Sequence, residues 1–246
     1  MRTRGYLLLT AAATLAPLVL AQAQAAFDMS APPALARPAR LRVPIVSSGV
    51  LPSNKLTIRV VEQHELPLVQ VTAVVAGGSR SDGDRPGMAS FVANMLDEGA
   101  GTRDATTLQA EFAFLGARLS TSSDWDRLTI SLKVPLRSLG PALDLMADVI
   151  LRPTFSAVEI RRQRDLRLTS LLQTRDQPEE VASLAFFSAL FPVEHPYHNS
   201  ADGDSIATAR LDSSAVRDFY LRTVRPERTT FIVVGDLGTA RARAEI

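Results

Sequence analysis

Alternation is plainest between Leu128 and Val134, where Leu128, Ile130, Leu132 and Val134 interleave with Thr129, Ser131 and Lys133. That is the period of a strand with one buried face, and Arg118–Ser122 is expected to pair with it. Upstream, Leu56–Gln63 and Leu68–Ala76 are β-branched, apolar runs joined by the turn-prone HELP, which predicts a hairpin of two mostly buried strands. Thr229–Val234 predicts a closing strand. Helical spacing fills the rest. Gly87–Leu96 reads as a short helix ended by Gly99 and Gly101, and Thr106–Leu115 keeps Leu108, Phe112 and Leu115 on one face before Gly116. Ser138 is expected to cap a helix carrying Leu139, Leu143, Met146 and Ile150 that stops before Pro153. Ser156 and Glu159 suggest a capping box for an arginine-rich helix reaching Arg175, and Pro178 with Glu179 and Glu180 opens the next. Ser213–Thr223 is a further helix, and Thr239 reads as the N-cap of a last one that looks cut off at Ile246. Strands early, helices after and one strand returning predict an α+β fold over residues 51–246, a mostly antiparallel sheet packed against helices.

Residues 1–25 place Arg2 and Arg4 before an apolar run from Tyr6 to Leu20, then Ala23 and Ala25 in A-x-A register, the pattern of a secretory signal peptide. The run is shorter than the roughly 20 residues a spanning helix needs, so no membrane span is expected after cleavage. Residues 26–50, with Pro32, Pro33, Pro38 and Pro44, read as an extended leader. A periplasmic or secreted location follows, and the absence of cysteine leaves stability to packing rather than disulfides. With 27 basic and 26 acidic residues, no long-range field draws the chain to nucleic acid or to an anionic membrane.

The glycine-led helix GMASFVANML, followed in order by DEGAGTRDA, FLGARLS, LMADVILRPTF, TRDQP, an HPY loop and TTFIVVGDL, resembles the N-terminal half of the pitrilysin/insulinase-type zinc peptidases, family M16. The resemblance runs from about Leu51 to Leu237 and implies one domain of the pitrilysin and mitochondrial processing peptidase fold. It also implies an inverted H-x-x-E-H motif on that helix, two histidines holding zinc, a glutamate base between them and a distal glutamate ligand. On this chain those places fall on Ser90, Ala93, Asn94 and, for the distal ligand, Ser170. A neutral hydroxyl and an amide are poor zinc donors, and alanine cannot accept a proton. The expectation is a chain with no catalytic base and no metal of its own. It would form a chamber wall for a peptide substrate and pair with a zinc-bearing M16 catalytic subunit or second M16 half. An assembly subunit without any proteolytic partner is the alternative, and an active zinc endopeptidase a third reading.

Other polar groups are expected to be less specific. His64, His195 and His198 read as solvated or locally hydrogen-bonded imidazoles. Asp97 and Glu98 end the first helix and read first as a solvated acidic helix end, and otherwise as pairing with Arg103 or, together with it, meeting a partner or substrate. Arg161, Arg162, Arg164 and Arg167, interspersed with Glu159 and Asp165, read as a solvated helix face, and Trp125 as a partly exposed packing residue at a hairpin bend.

Overall fold

The computed structural model describes residues 43–246, so the signal peptide and most of the leader lie outside the described residues. A six-stranded sheet contains β1 (Ser47–Val50), β2 (Thr57–Glu62), β3 (Leu68–Ala76), β6 (Arg118–Ser123), β7 (Arg127–Pro135) and β8 (Thr229–Gly235), ordered β1-β2-β8-β3-β7-β6. A small ribbon pairs β4 (Gly99–Ala100) with β5 (Arg103–Asp104). The helices are α1 (Met88–Met95), α2 (Ala105–Phe114), α3 (Leu139–Leu151), α4 (Ala157–Thr174), α5 (Pro178–Leu190), α6 (Ser205–Ala209), α7 (Ser213–Thr223) and α8 (Thr239–Glu245). The chain is α+β, as its pattern implies.

β6 and β7 form the expected antiparallel pair, with Arg118 opposite Lys133 and Ser123 opposite Leu128. All four apolar positions of β7 are buried. β2 and β3 do not form the expected hairpin. β8 lies between them, parallel to β2 with Thr57 opposite Thr230, and antiparallel to β3 with Val71 opposite Val233. The Gln63–Pro67 link passes over the end of β8, where the Gln63 N–H donates to Gly235 O at 2.8 Å and the Asp236 N–H donates to Leu68 O at 3.0 Å. A turn signal marks a reversal of the chain and says nothing about whether the two arms touch. Nor are β2 and β3 buried throughout: buried positions alternate with half-buried or exposed ones, as a sheet with one covered face requires. The leader is also shorter than expected, since Ser47–Val50 already pairs with β2 as an edge strand.

One core joins the sheet to the helices, through Phe91 and Met95 of α1, Phe112 of α2, Val149 of α3 and Phe219 of α7. Local chemistry sets the helix ends. Asp104 Oδ1 accepts the Thr107 N–H at 2.8 Å at the start of α2, and Ser156 Oγ accepts the Glu159 N–H at 3.3 Å at the start of α4. The Glu159 carboxylate, instead of closing a box, accepts from Arg162 at 2.6 Å. Ser138 makes no side-chain cap, because a 3₁₀ turn over Leu136–Ser138 leads directly into α3. Gly238 rather than Thr239 is the N-cap of α8; the Thr239 N–H and Oγ1 both donate to Glu62 Oε1 at 2.7 Å. α5 contains no fully buried residue. Among the described residues, no helix is long and apolar enough to cross a membrane.

Candidate functional site

The site is built on the first turn of α1. Gly87 precedes the helix at φ 86°, a left-handed geometry natural to glycine. The Asp82 carboxylate supplies the cap from outside the helix, Oδ2 accepting the Gly87 N–H and Oδ1 the Ala89 N–H, each at 2.8 Å. Burial pushes this carboxyl up from its ordinary 3.8 to about 7, against the downward pull of those N–H donors and of the Arg167 charge.

In the same turn, Ser90 is 5 % exposed. Its Oγ donates to Asp202 Oδ1 at 2.5 Å and accepts from Arg167 Nη2 at 2.9 Å. Arg167 comes from α4, is 8 % exposed, donates through Nη1 to Gly87 O at 2.9 Å, and holds its guanidinium carbon 5.2 Å from the centre of the Phe91 ring. Burial lowers the Arg167 pKa, and the Asp202 and Asp82 charges oppose that shift. Arg167 is therefore not part of a solvated basic face. Arg162 keeps to the surface, paired with Glu98 and Glu159, which hold its pKa above the ordinary value.

Asp202 reaches Ser90 because the loop before α6 is pressed onto the start of α1. A Cβ at Gly203 would stand 2.1 Å from Pro86 O, and one at Gly87 would stand 2.4 Å from Asp202 O. Two side-chain-free residues permit this contact between backbones.

The four places singled out by the motif are not equivalent. Ser90 is covered by Arg167 and the loop, Ala93 is sealed at 0 % exposure, and Asn94 and Ser170 are exposed. Together they offer one hydroxyl engaged on both sides, one methyl, one amide and a second hydroxyl. This donor set does not fit zinc, which takes imidazole, thiolate or carboxylate. Among the described residues, no group of three or more His, Cys, Asp or Glu side chains could hold a metal ion.

The acidic end of α1 turns inward. Glu98 accepts from Arg162 and Gln163 of α4, and Asp97 accepts from Gln109 at 3.4 Å. Burial, and then the Glu98 charge, raise the Asp97 pKa. Arg103 meets neither of them. Its Nε donates to Glu111 and its Nη1 to Asp148, each at 2.7 Å, tying β5 to α2 and α3. The expected pairing with Arg103 is thus corrected: a buried carboxylate on α3 is the stronger attractor, and α4 offers Glu98 its own cation. His195 Nδ1 accepts the Tyr197 N–H at 3.2 Å and His198 Nδ1 lies 2.9 Å from Phe191 O, both local hydrogen bonds, whereas His64 lies 2.7 Å from Asp236 at the far end of the chain. Trp125 is half-buried and packs on Phe187 and Tyr197 at 5.1 and 5.6 Å, with its Nε1–H on Asn199 O at 3.1 Å.

Asp82, Arg167 and Asp202 are not legible as site residues in the sequence. The signal for Arg167 is its spacing, seven residues after the buried Ile160 on the same helix face. Asp82 and Asp202 lie in loops, where no period speaks.

The family model of insulinase, Peptidase family M16, matches residues 59–198, more than half of the chain, and the chain belongs to that family. An uncharacterized zinc protease of Mycobacterium leprae is 28% identical over 184 residues, which are 73% of this chain and 41% of that protein. Among solved structures, the peptidase M16 inactive domain from Pseudomonas fluorescens is 27% identical with a TM-score of 0.77, over 81% of this chain and 48% of that one. The periplasmic protease PqqL from Escherichia coli shares the fold at a TM-score of 0.74 and 21% identity, over 82% of this chain and 23% of that one. The chain thus spans less than half the length of each of these relatives.

Proposed function

We propose that this chain is a non-catalytic M16 domain that forms one wall of a peptide-processing chamber and works with a zinc-bearing M16 partner or second half, in the periplasm. The observation that carries the reading is the first turn of α1. Where hydrolysis by this fold needs an imidazole and a carboxylate, the chain has a serine hydrogen-bonded to both an arginine and an aspartate, and a sealed alanine. Without a base to take the proton of an attacking water, general-base catalysis is not available. The likeness to a Pseudomonas domain described as inactive supports this, as does the description of PqqL as periplasmic for the location.

Two surfaces suit a wall. Among the described residues β6 hydrogen-bonds only β7, so its outer edge presents backbone N–H and C=O groups to which an extended peptide can add. α5 exposes Val181 and Leu184 on one side and Phe186 and Leu190 on another, apolar surface fit to be covered by further M16 chain. Of Asp97, Glu98 and Arg103, expected as contacts, Asp97 is the one not committed to an intramolecular ion pair, and we keep it as the contact residue.

The test is peptide hydrolysis by the purified chain, alone and with a co-purified M16 polypeptide that carries an intact H-x-x-E-H, with zinc measured on each. Cleavage is expected only in the mixture, with zinc on the partner. Chelator-sensitive cleavage by this chain alone would refute the reading.

A further inference from the structure

We propose that Arg167 is the resident cation of this site and bars zinc even from a restored set of ligands. The inference rests on the reading of the chain as non-catalytic and goes beyond it, because missing donors could be replaced whereas an occupied place must first be vacated.

A guanidinium nitrogen lies 2.9 Å from the oxygen at the first ligand position, in a pocket where that side chain is 5 % exposed and Arg167 itself 8 %. The charge is held from several sides: Gly87 O at 2.9 Å, the Phe91 ring face, and the Asp202 carboxylate reached through Ser90. Such a network is fully used. Ser90 Oγ accepts from Arg167 and donates to Asp202, and Asp202 is held in place by the contact between Gly203 and Pro86.

An imidazole at position 90 has no space unless the arginine side chain leaves. A divalent ion there would also face a fixed like charge at close range in a weakly screened setting, where repulsion is large. Serine at 90 and arginine at 167 form a matched pair, the small hydroxyl leaving room for the guanidinium and accepting its hydrogen bond. Arg167 also pins the 200–204 loop to α1, so removing the charge should loosen that loop.

The experiment compares two chains after dialysis against zinc. One carries Ser90→His, Ala93→Glu, Asn94→His and Ser170→Glu with Arg167 kept; the other adds Arg167→Ala. Zinc per chain is measured by atomic emission, and folding by circular dichroism. The first is expected to hold almost no zinc and the second nearly one equivalent, an apparent affinity gain of at least about a hundredfold. Stoichiometric zinc on the first chain, or none on the second, overturns the inference. Zinc on the unmodified chain would instead sink the proposed function. Because a five-residue variant can fail to fold, a second measurement stands beside it: amide exchange at residues 202–204 should speed up about tenfold in Arg167→Met relative to the unmodified chain. Unchanged exchange counts against Arg167 as the holder of this site.

Discussion

Asp82 binds two backbone donors at the start of α1 while buried, and its raised pKa links the stability of that helix to pH. The folded chain holds this proton more tightly than the unfolded one, so the contribution is complete below about 4 and lost as pH rises through about 7. A carboxyl raised that far corresponds to roughly 4 kcal/mol as an upper figure. His64, whose pKa is raised by Asp236 and Glu62, acts in the same direction at the surface. Urea denaturation should therefore show the unmodified chain losing stability between about pH 4 and pH 7, and Asp82→Asn losing most of that slope while His64→Gln removes little. Gly203→Ala is a second test at this scale. At φ 73° with Pro86 O at 2.1 Å, an added methyl must displace the loop, at a cost of at least about 2 kcal/mol. A melting point indistinguishable from that of the unmodified chain would contradict that packing.

The elements are unevenly legible in the sequence, for reasons that lie in particular residues. β7 and its pairing with β6 can be read because Leu128–Val134 alternates cleanly and its partner is adjacent in the chain. α4 follows from the Ser156 and Glu159 signal at its start, although its one buried charge does not, since a pattern of hydrophobic and polar positions has no symbol for a buried arginine. The place of β8 is invisible because it depends on a pairing between residues far apart along the chain. The short α6 hides between loop signals, even though Asp204 caps it by accepting the Ile206 and Ala207 N–H groups. That Ser90, Ala93, Asn94 and Ser170 are neither imidazole nor carboxylate is a matter of residue identity, whereas the hydrogen bond that Arg167 of α4 makes to Ser90 requires the fold. At this scale, removing residues 229–246 should leave β2 and β3 without their shared neighbour. A chain ending at Arg228 is expected to lose its near-ultraviolet circular dichroism and to be digested at low protease concentrations that spare the full chain.

For the whole molecule the informative surface is α5. Phe186 is 61 % exposed, with Leu190 on its side of the helix and Val181 and Leu184 exposed on another, and the helix has no fully buried residue. Apolar patches of this kind on an isolated chain promote self-association. Leu184→Ser with Phe186→Ser should reduce concentration-dependent association in size-exclusion chromatography, change stability by no more than about 0.5 kcal/mol, and weaken binding to the proposed zinc-bearing M16 partner at least about tenfold. Retention of partner binding would place the contact elsewhere.

The insertion of β8 between β2 and β3 gives the sheet a keystone that is made after its other five strands. Until Thr229–Gly235 has emerged from the ribosome, β2 and β3 can only wait, each with a free edge, and the sheet remains split along its middle. Assembly is thereby deferred until that strand is made, which leaves the nascent polypeptide threadable for as long as it lacks it.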